Sequence, residues 1–295
     1  MNLQGFLNYL EYERRYSPLT LTAYRVDLEQ FMLFLESDYQ ISHEKEVSDQ
    51  MIRSWLASLM DQGLSPRSVN RKISSVKSYF RYLVRQGMVN LNPSILIQGP
   101  KQNKRLPVFV EERKMELLHH KEIDEHSFVE VRDRLIMELF YSTGIRRAEL
   151  IGLTWVNVDL HSQHVKVLGK RNKERIIPIG DDLSSLFKSY DILRKDISKE
   201  EEGSELVFLT ERGKKMYPKL VYRIVNSYLS SVSTQDKKSP HVLRHTFATH
   251  MLNNGADLNA VKELLGHASL AATQVYTHNT IDKLKKVYQQ AHPKA

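Results

Sequence analysis

Apolar residues recur at helical spacing through the first ninety positions, and no strand-like alternation interrupts them. The clearest case follows Ser65-Pro66. At 100° per residue, Val69, Ile73, Val76, Phe80, Leu83 and Val84 fall on one stripe, while Arg67, Arg71, Ser74, Ser78, Arg81 and Arg85 recur on the opposite one. With Ser as N-cap, Pro at the first helical position and Gly87 past the end, this predicts one amphipathic helix over 66–86. Further helices are predicted over 2–15, over 18–37 behind Ser17-Pro18, and over 48–62 between Ser48 and Gly63. The next stretch, MVNLNPSILIQGPKQNKRLP, holds Asn-Pro, Gly-Pro and a short basic cluster but no helical period, so 88–106 is expected to be a linker. After Pro107 the texture changes. A buried-looking helix over 128–142 ends at Thr143-Gly144, and HVKVL (164–168) and ERIIPI (174–179) alternate as two strands joined by the turn GKRNK. From His241 the chain is helical again, with Gly255 and Gly266 where C-cap glycines would sit. The pattern predicts a mainly α chain of two domains, 1–87 all-helical and 107–295 mixed α/β but mostly helical.

Length agrees, since 295 residues suit about two domains that each bury a core. Lys plus Arg number 43 against 35 Asp plus Glu, a net charge of +8. Its distribution says more: residues 1–50 carry 4 basic and 9 acidic side chains, residues 51–100 carry 7 and 1. Arg67, Arg71, Arg81 and Arg85 form either an ordinary solvated face or a surface turned toward an anion. The absence of carboxylates between them on the helix, and the small serine spacers, favour close approach to a phosphate backbone. No apolar run is long enough to span a bilayer, and MNLQGFLNYLEYERR lacks the layout of a signal peptide, so a cytoplasmic location without membrane contact is expected. Zero cysteine removes disulfides, thiolate nucleophiles and zinc-thiolate sites. Paired carboxylates for magnesium, GxxxxGK[ST], GxGxxG and HExxH are all missing, so no metal or other cofactor is expected.

Five clusters in the second region carry candidate chemistry: TGIRRAEL (143–150), LGKRNKER (168–175), HVLRHTFATHML (241–252), LLGHAS (264–269) and QVYTH (274–278). Each alone has a plain reading. Arg146 is then a surface residue after a helix end, Lys170 a solvated turn lysine, and His241 and Arg244 partners in a structural hydrogen bond. His267 would satisfy helix carbonyls, and Tyr276 would be one half-buried tyrosine among 14. Taken together, they offer arginines, a lysine, histidines and a hydroxyl without a metal motif, a set suited to attack on a phosphodiester. A tyrosine nucleophile would keep the energy of the broken bond in a phosphotyrosine link.

In this order, Arg, turn Lys, His-x-x-Arg, His in LLGH and Tyr before Thr-His, the clusters resemble the tyrosine recombinase (phage integrase) family over essentially the whole chain. The strings LRHTFATHML and LLGHAS are most similar to its Xer subgroup of chromosome-dimer resolvases. The resemblance implies an N-terminal SAM-like core-binding domain and a C-terminal catalytic domain that close on duplex DNA as a C-shaped clamp. It assigns Arg146 and Arg244 to the scissile phosphate and Tyr276 to nucleophilic attack. His241 becomes the proton acceptor, Lys170 the general acid and His267 a hydrogen-bond donor to the phosphate. Glu149 is either a carboxylate that holds Arg146 on a shared helix face or a solvated glutamate. Lys173 competes with Lys170 and otherwise touches DNA. Arg147 points elsewhere, and His245, His250 and His278 are assigned to packing. A terminal helix bearing Ile281, Leu284, Val287 and Tyr288 is expected to dock on a neighbouring protomer rather than on its own domain. The implied activity is site-specific recombination through a 3′-phosphotyrosine and a Holliday junction at a dif-like site. The implied setting is a nucleoid-associated homo- or hetero-tetramer, with a DNA translocase as a further partner. An integrase or transposase of a mobile element, and strand relaxation of the type IB topoisomerase kind, are the alternatives.

Overall fold

The computed structural model describes residues 1–101, 108–169, 174–197, 205–233, 237–266 and 286–293. The chain divides into two compact units, Met1–Arg105 and Leu106–Ala295.

The first unit is helical throughout. Helix α1 (Leu3–Asn8) runs into a π-helical turn (Tyr9–Glu13), and α2 (Pro18–Tyr39), α3 (Asp49–Asp61) and α4 (Pro66–Arg85) follow. Ser17, Ser48 and Ser65 each accept an N–H from the first turn of the helix they open, and proline fills the first position of α2 and α4, where no N–H is needed. Phe6, Leu28, Phe31, Leu35, Ile52, Trp55, Val76 and Phe80 share one core. The stripe predicted on α4 is buried except at its end, where Val84 is 38% exposed. Tyr79 and Tyr82 extend that stripe inward instead. The segment expected to be a linker is folded in its first part. Val89 and Ile97 join the core, and Asn70 Nδ2 donates to Pro100 O at 2.9 Å.

The second unit opens with α5 (Glu112–His119), α6 (Phe128–Thr143) and the short α7 (Arg147–Ile151). Strands β1 (Val158–Asp159), β2 (His164–Leu168) and β3 (Glu174–Pro178) form an antiparallel sheet in that order, with Val165 opposite Ile177 and Val167 opposite Arg175. The two predicted strands are therefore present, joined by a first strand too short to show a period. Helices α8 (Asp181–Ile197), α9 (Pro218–Val232), α10 (Pro240–Asn253) and α11 (Leu258–Leu265) complete the unit, with a last helical stretch over 286–291. Leu135, Phe140, Val165, Ile177, Phe187, Phe208, Leu243 and Phe247 lie in its core. The terminal stretch closes on its own unit rather than offering its apolar side outward. Tyr288 stacks on His292 at 4.9 Å, and His292 packs on Tyr141 and Phe247. In the single chain Val287 and Tyr288 pack on their own unit, and Ile281 and Leu284 lie outside the described residues. Among the described residues, no helix is long and apolar enough to cross a membrane.

Candidate active site

Arg146 is placed by the end of one helix and the start of the next. Helix α6 stops at Gly144, whose φ of 58° is left-handed, and a Cβ there would stand 2.7 Å from both Leu265 Cδ2 and Phe247 Cδ1. The chain then turns, and Arg146 becomes the N-cap of α7 with extended backbone at φ −79° and ψ 149°. Arg146 and Glu149 thus do not share a helix face as expected, because Arg146 stands just outside the helix. From its third position Glu149 reaches back and accepts the Arg146 backbone N–H at 2.8 Å. This is the carboxylate half of a capping box, the only half an N-cap arginine can form, since guanidinium accepts nothing.

The same carboxylate joins two arginines. Arg146 Nη1 donates to Oε1 at 2.7 Å, and Arg175 donates through Nη1 to Oε1 at 2.9 Å and through Nη2 to Oε2 at 2.8 Å. The Glu149 side chain is 6% exposed and that of Arg175 is 3% exposed. Burial pushes the Glu149 carboxyl up, but the hydrogen bonds and charge of Arg175, then the hydrogen bonds of Arg146, overcome it and hold the group at about 2. Glu149 is therefore a fixed anion, not a solvated glutamate.

Arg244 enters from α10, largely buried, and its Nη1 and Nη2 donate to Gly144 O and Leu265 O. Arg146 Nη2 donates to Gly266 O at 3.2 Å, and Arg175 Nε to Leu264 O at 2.7 Å. Three guanidinium groups thus meet three successive carbonyls at the C-terminal end of α11. Those carbonyls have no partner within the helix and carry the negative end of its dipole, so cations stabilise them. Burial, then the charges of Arg146 and Arg175, bring Arg244 down to about 9 against the pull of Glu149, which still leaves it charged at neutral pH. Three arginines around one carboxylate carry excess positive charge, a setting that favours an anion such as a phosphodiester.

His241 lies one turn before Arg244 on α10, open to solvent on one side. Partial burial, followed by the positive charge of Arg147, His245, Arg244 and Arg146, lowers its pKa from 6.5. It is accordingly neutral at neutral pH and able to accept a proton. Arg147 is exposed at the start of α7. His250 is buried, with Nδ1 3.0 Å from Tyr141 Oη, whereas His245, expected to pack, is exposed. Lys170, Lys173, His267, Tyr276 and His278 lie outside the described residues. A cavity of about 450 Å³ beside His119, Glu138 and Asp182 includes none of the site residues.

Arg175 is the site residue that the sequence reading passed over. It occupies an inward position of β3, in phase with Ile177 and Ile179, and an arginine pointing into a core requires a partner. That broken alternation in ERIIPI is the signal that locates it.

On α4, all four arginines of the predicted stripe are exposed, but two are engaged by carboxylates from elsewhere in the first unit. Arg71 pairs with the buried Asp27, and Arg85 reaches Glu13 at 3.2 Å while lying 4.6 Å over the Tyr9 ring. Among the described residues, Arg67 and Arg81 have no ion pair. Lys72, next to Arg71, is buried against Asp27 at 3.1 Å.

The pattern of the phage integrase family matches residues 109–283, and that of the phage integrase N-terminal SAM-like domain matches residues 3–87. Tyrosine recombinase XerC of Chlorobaculum parvum is 39% identical over 99% of this chain and 94% of its own. Tyrosine recombinase XerD of Staphylococcus epidermidis is 36% identical over 99% of both chains. Among solved structures, XerH site-specific recombinase bound to a palindromic difH substrate shares the fold, with a TM-score of 0.72 at 22% identity over 97% of this chain and 83% of the other. With both domain patterns in chain order and relatives matching end to end, the chain belongs to the phage integrase family of site-specific tyrosine recombinases, enzymes that cut and rejoin DNA.

Proposed function

We propose that Arg146 and Arg244 hold the scissile phosphate while Tyr276 attacks phosphorus to form a 3′-phosphotyrosine. The Tyr276 proton passes to His241. The 5′-oxygen leaves with a proton from Lys170, and His267 donates a hydrogen bond to the phosphate as charge builds on it. The observation that carries this reading is the pair of guanidinium groups fixed on one frame, Arg146 by Glu149 and Gly266, Arg244 by Gly144 and Leu265. Planar forks held in place suit a tetrahedral phosphate better than lysines would. On this reading Arg67, Arg71, Arg81 and Arg85, with Lys173, meet the DNA backbone. Relatives carrying both Xer names, and a fold relative bound to a difH substrate, favour a dif-like chromosomal site and resolution of chromosome dimers. Four protomers, alike or from two related chains, would act at paired sites on the nucleoid under a DNA translocase.

Nicked suicide duplexes carrying a dif-like site test the chemistry. The protein is expected to form a covalent adduct in EDTA, and Tyr276→Phe to form none. An adduct that persists in Tyr276→Phe would overturn the nucleophile assignment. Pairing two sites on one plasmid then separates recombination from simple relaxation of supercoils.

A further inference from the structure

We infer that Arg175 is a positioning residue for strand cleavage, acting through Glu149 and the C-terminal end of α11 to fix the two phosphate-binding arginines. The inference rests on the roles proposed above for Arg146 and Arg244. Three observations carry it. First, Arg175 occupies a core-facing strand position where an aliphatic residue would pack as well, and its side chain is only 3% exposed, so it is not itself a surface contact for DNA. Burying a guanidinium there is costly unless it is fully paired, and it is paired on both sides.

Second, its donors are divided between two elements that carry the site. The two Nη groups take both oxygens of Glu149, and Nε takes Leu264 O. Glu149 in turn holds the backbone and the guanidinium of Arg146, while the next two carbonyls, Leu265 and Gly266, hold Arg244 and Arg146. Arg175 thereby ties β3 to both the start of α7 and the end of α11, two ends that Arg146 also joins directly. Third, the turn at Gly266 is pressed against it. The φ there is 62°, and a Cβ would stand 3.0 Å from Arg175 Cδ. In sequence, Gly266 directly precedes His267. The carboxylate also depends on Arg175 for its charge, because burial works against ionisation and Arg175 is the largest influence opposing it.

A lysine at 175 keeps one positive charge but cannot span both Glu149 oxygens and Leu264 O. With the full-length protein held at saturating suicide duplex, Arg175→Lys is expected to bind with unchanged affinity and to form the adduct roughly 10²-fold more slowly. Its rate is also expected to gain a second protonation step in its acid limb, beyond that of His241 in the wild type, as Glu149 becomes easier to protonate. A structural role alone would lower the melting temperature without moving the pH profile. Glu149→Gln, which removes the charge and keeps the shape, gives a second route should Arg175→Lys fail to fold. It is expected to slow cleavage to a similar extent, and Glu149→Gln/Arg175→Lys to be no slower than the slower single variant. Wild-type cleavage in Arg175→Lys, or single losses that multiply in the double variant, would overturn the proposal. Absence of adduct in the wild type would instead overturn the chemistry on which it rests.

Discussion

One side chain at the site responds to its surroundings in a way that a pH profile reads directly. His241 has its pKa lowered by partial burial and by positive neighbours, the first of which is Arg147. A base is inactive when protonated, so the acid limb of adduct formation should fall below pH 6.5, with the plateau at neutral pH held by the neutral imidazole. Replacing Arg147 with Ala removes one repulsive charge, and that limb should move to higher pH while the plateau rate stays. A limb that stays in place would take His241 out of the base role. Gly144 makes a different demand. Its left-handed φ, and the 2.7 Å approach a Cβ would make to Leu265 and Phe247, mean that Gly144→Ala must shift the carbonyl that receives Arg244. Stability should drop by about 1–3 kcal/mol in denaturant titration. Adduct formation should slow while DNA affinity, measured in parallel, changes little.

At the scale of elements, α4 separates what a sequence pattern holds from what only packing supplies. Its limits were legible because Ser65, Pro66 and Gly87 act locally, on backbone groups within a turn of themselves. Its buried polar pair was not, because Asp27 and Lys72 lie on different helices and only the fold brings them together. Asp27 is fully buried and accepts from Lys72, Arg71 and Ser75. Asp27→Ala would strand the buried ammonium, with an expected loss of about 3–5 kcal/mol, and Asp27→Leu/Lys72→Met should recover most of it. The exposed stripe should behave differently. If Arg67 and Arg81 each meet a phosphate, replacing either with Ala should leave the denaturant midpoint unchanged and reduce the slope of log affinity against log salt by about 1. Unchanged slopes would make this face an ordinary solvated surface. The same contrast holds in the second unit. His-x-x-Arg was readable as a spacing along one helix, whereas Glu149 and Arg175 are 26 residues apart and meet only through the fold, where β3 packs against α11.

For the whole molecule, the question is where one folding unit ends, and here the sequence misleads for a physical reason. Asn-Pro and Gly-Pro broke the helical period after Gly87, so residues 88–106 read as a connection, and the apolar residues between them show no period that could argue otherwise. Yet Val89 is 6% exposed and Ile97 2%, both within the first unit's core. Gly99 lies so close to α4 that a Cβ would meet Asn70 Oδ1 at 1.7 Å. A segment held this way belongs to the core it covers. A fragment spanning residues 1–101 should therefore unfold cooperatively by circular dichroism and retain salt-sensitive DNA binding, without forming an adduct. A fragment ending at Gly87 loses two side chains whose full burial contributes about 1.5–3 kcal/mol each. That gain exceeds what ordering the short segment costs only if Asn70 and the turn residues hold it as well, since each ordered residue costs about 1–2 kcal/mol of backbone entropy. The midpoint of the shorter fragment in urea should consequently lie below that of the longer one, with Asn70→Ala in the longer fragment falling between them. Equal midpoints would mean that the segment rests on the core without stabilising it, and that the first unit is complete at the end of α4.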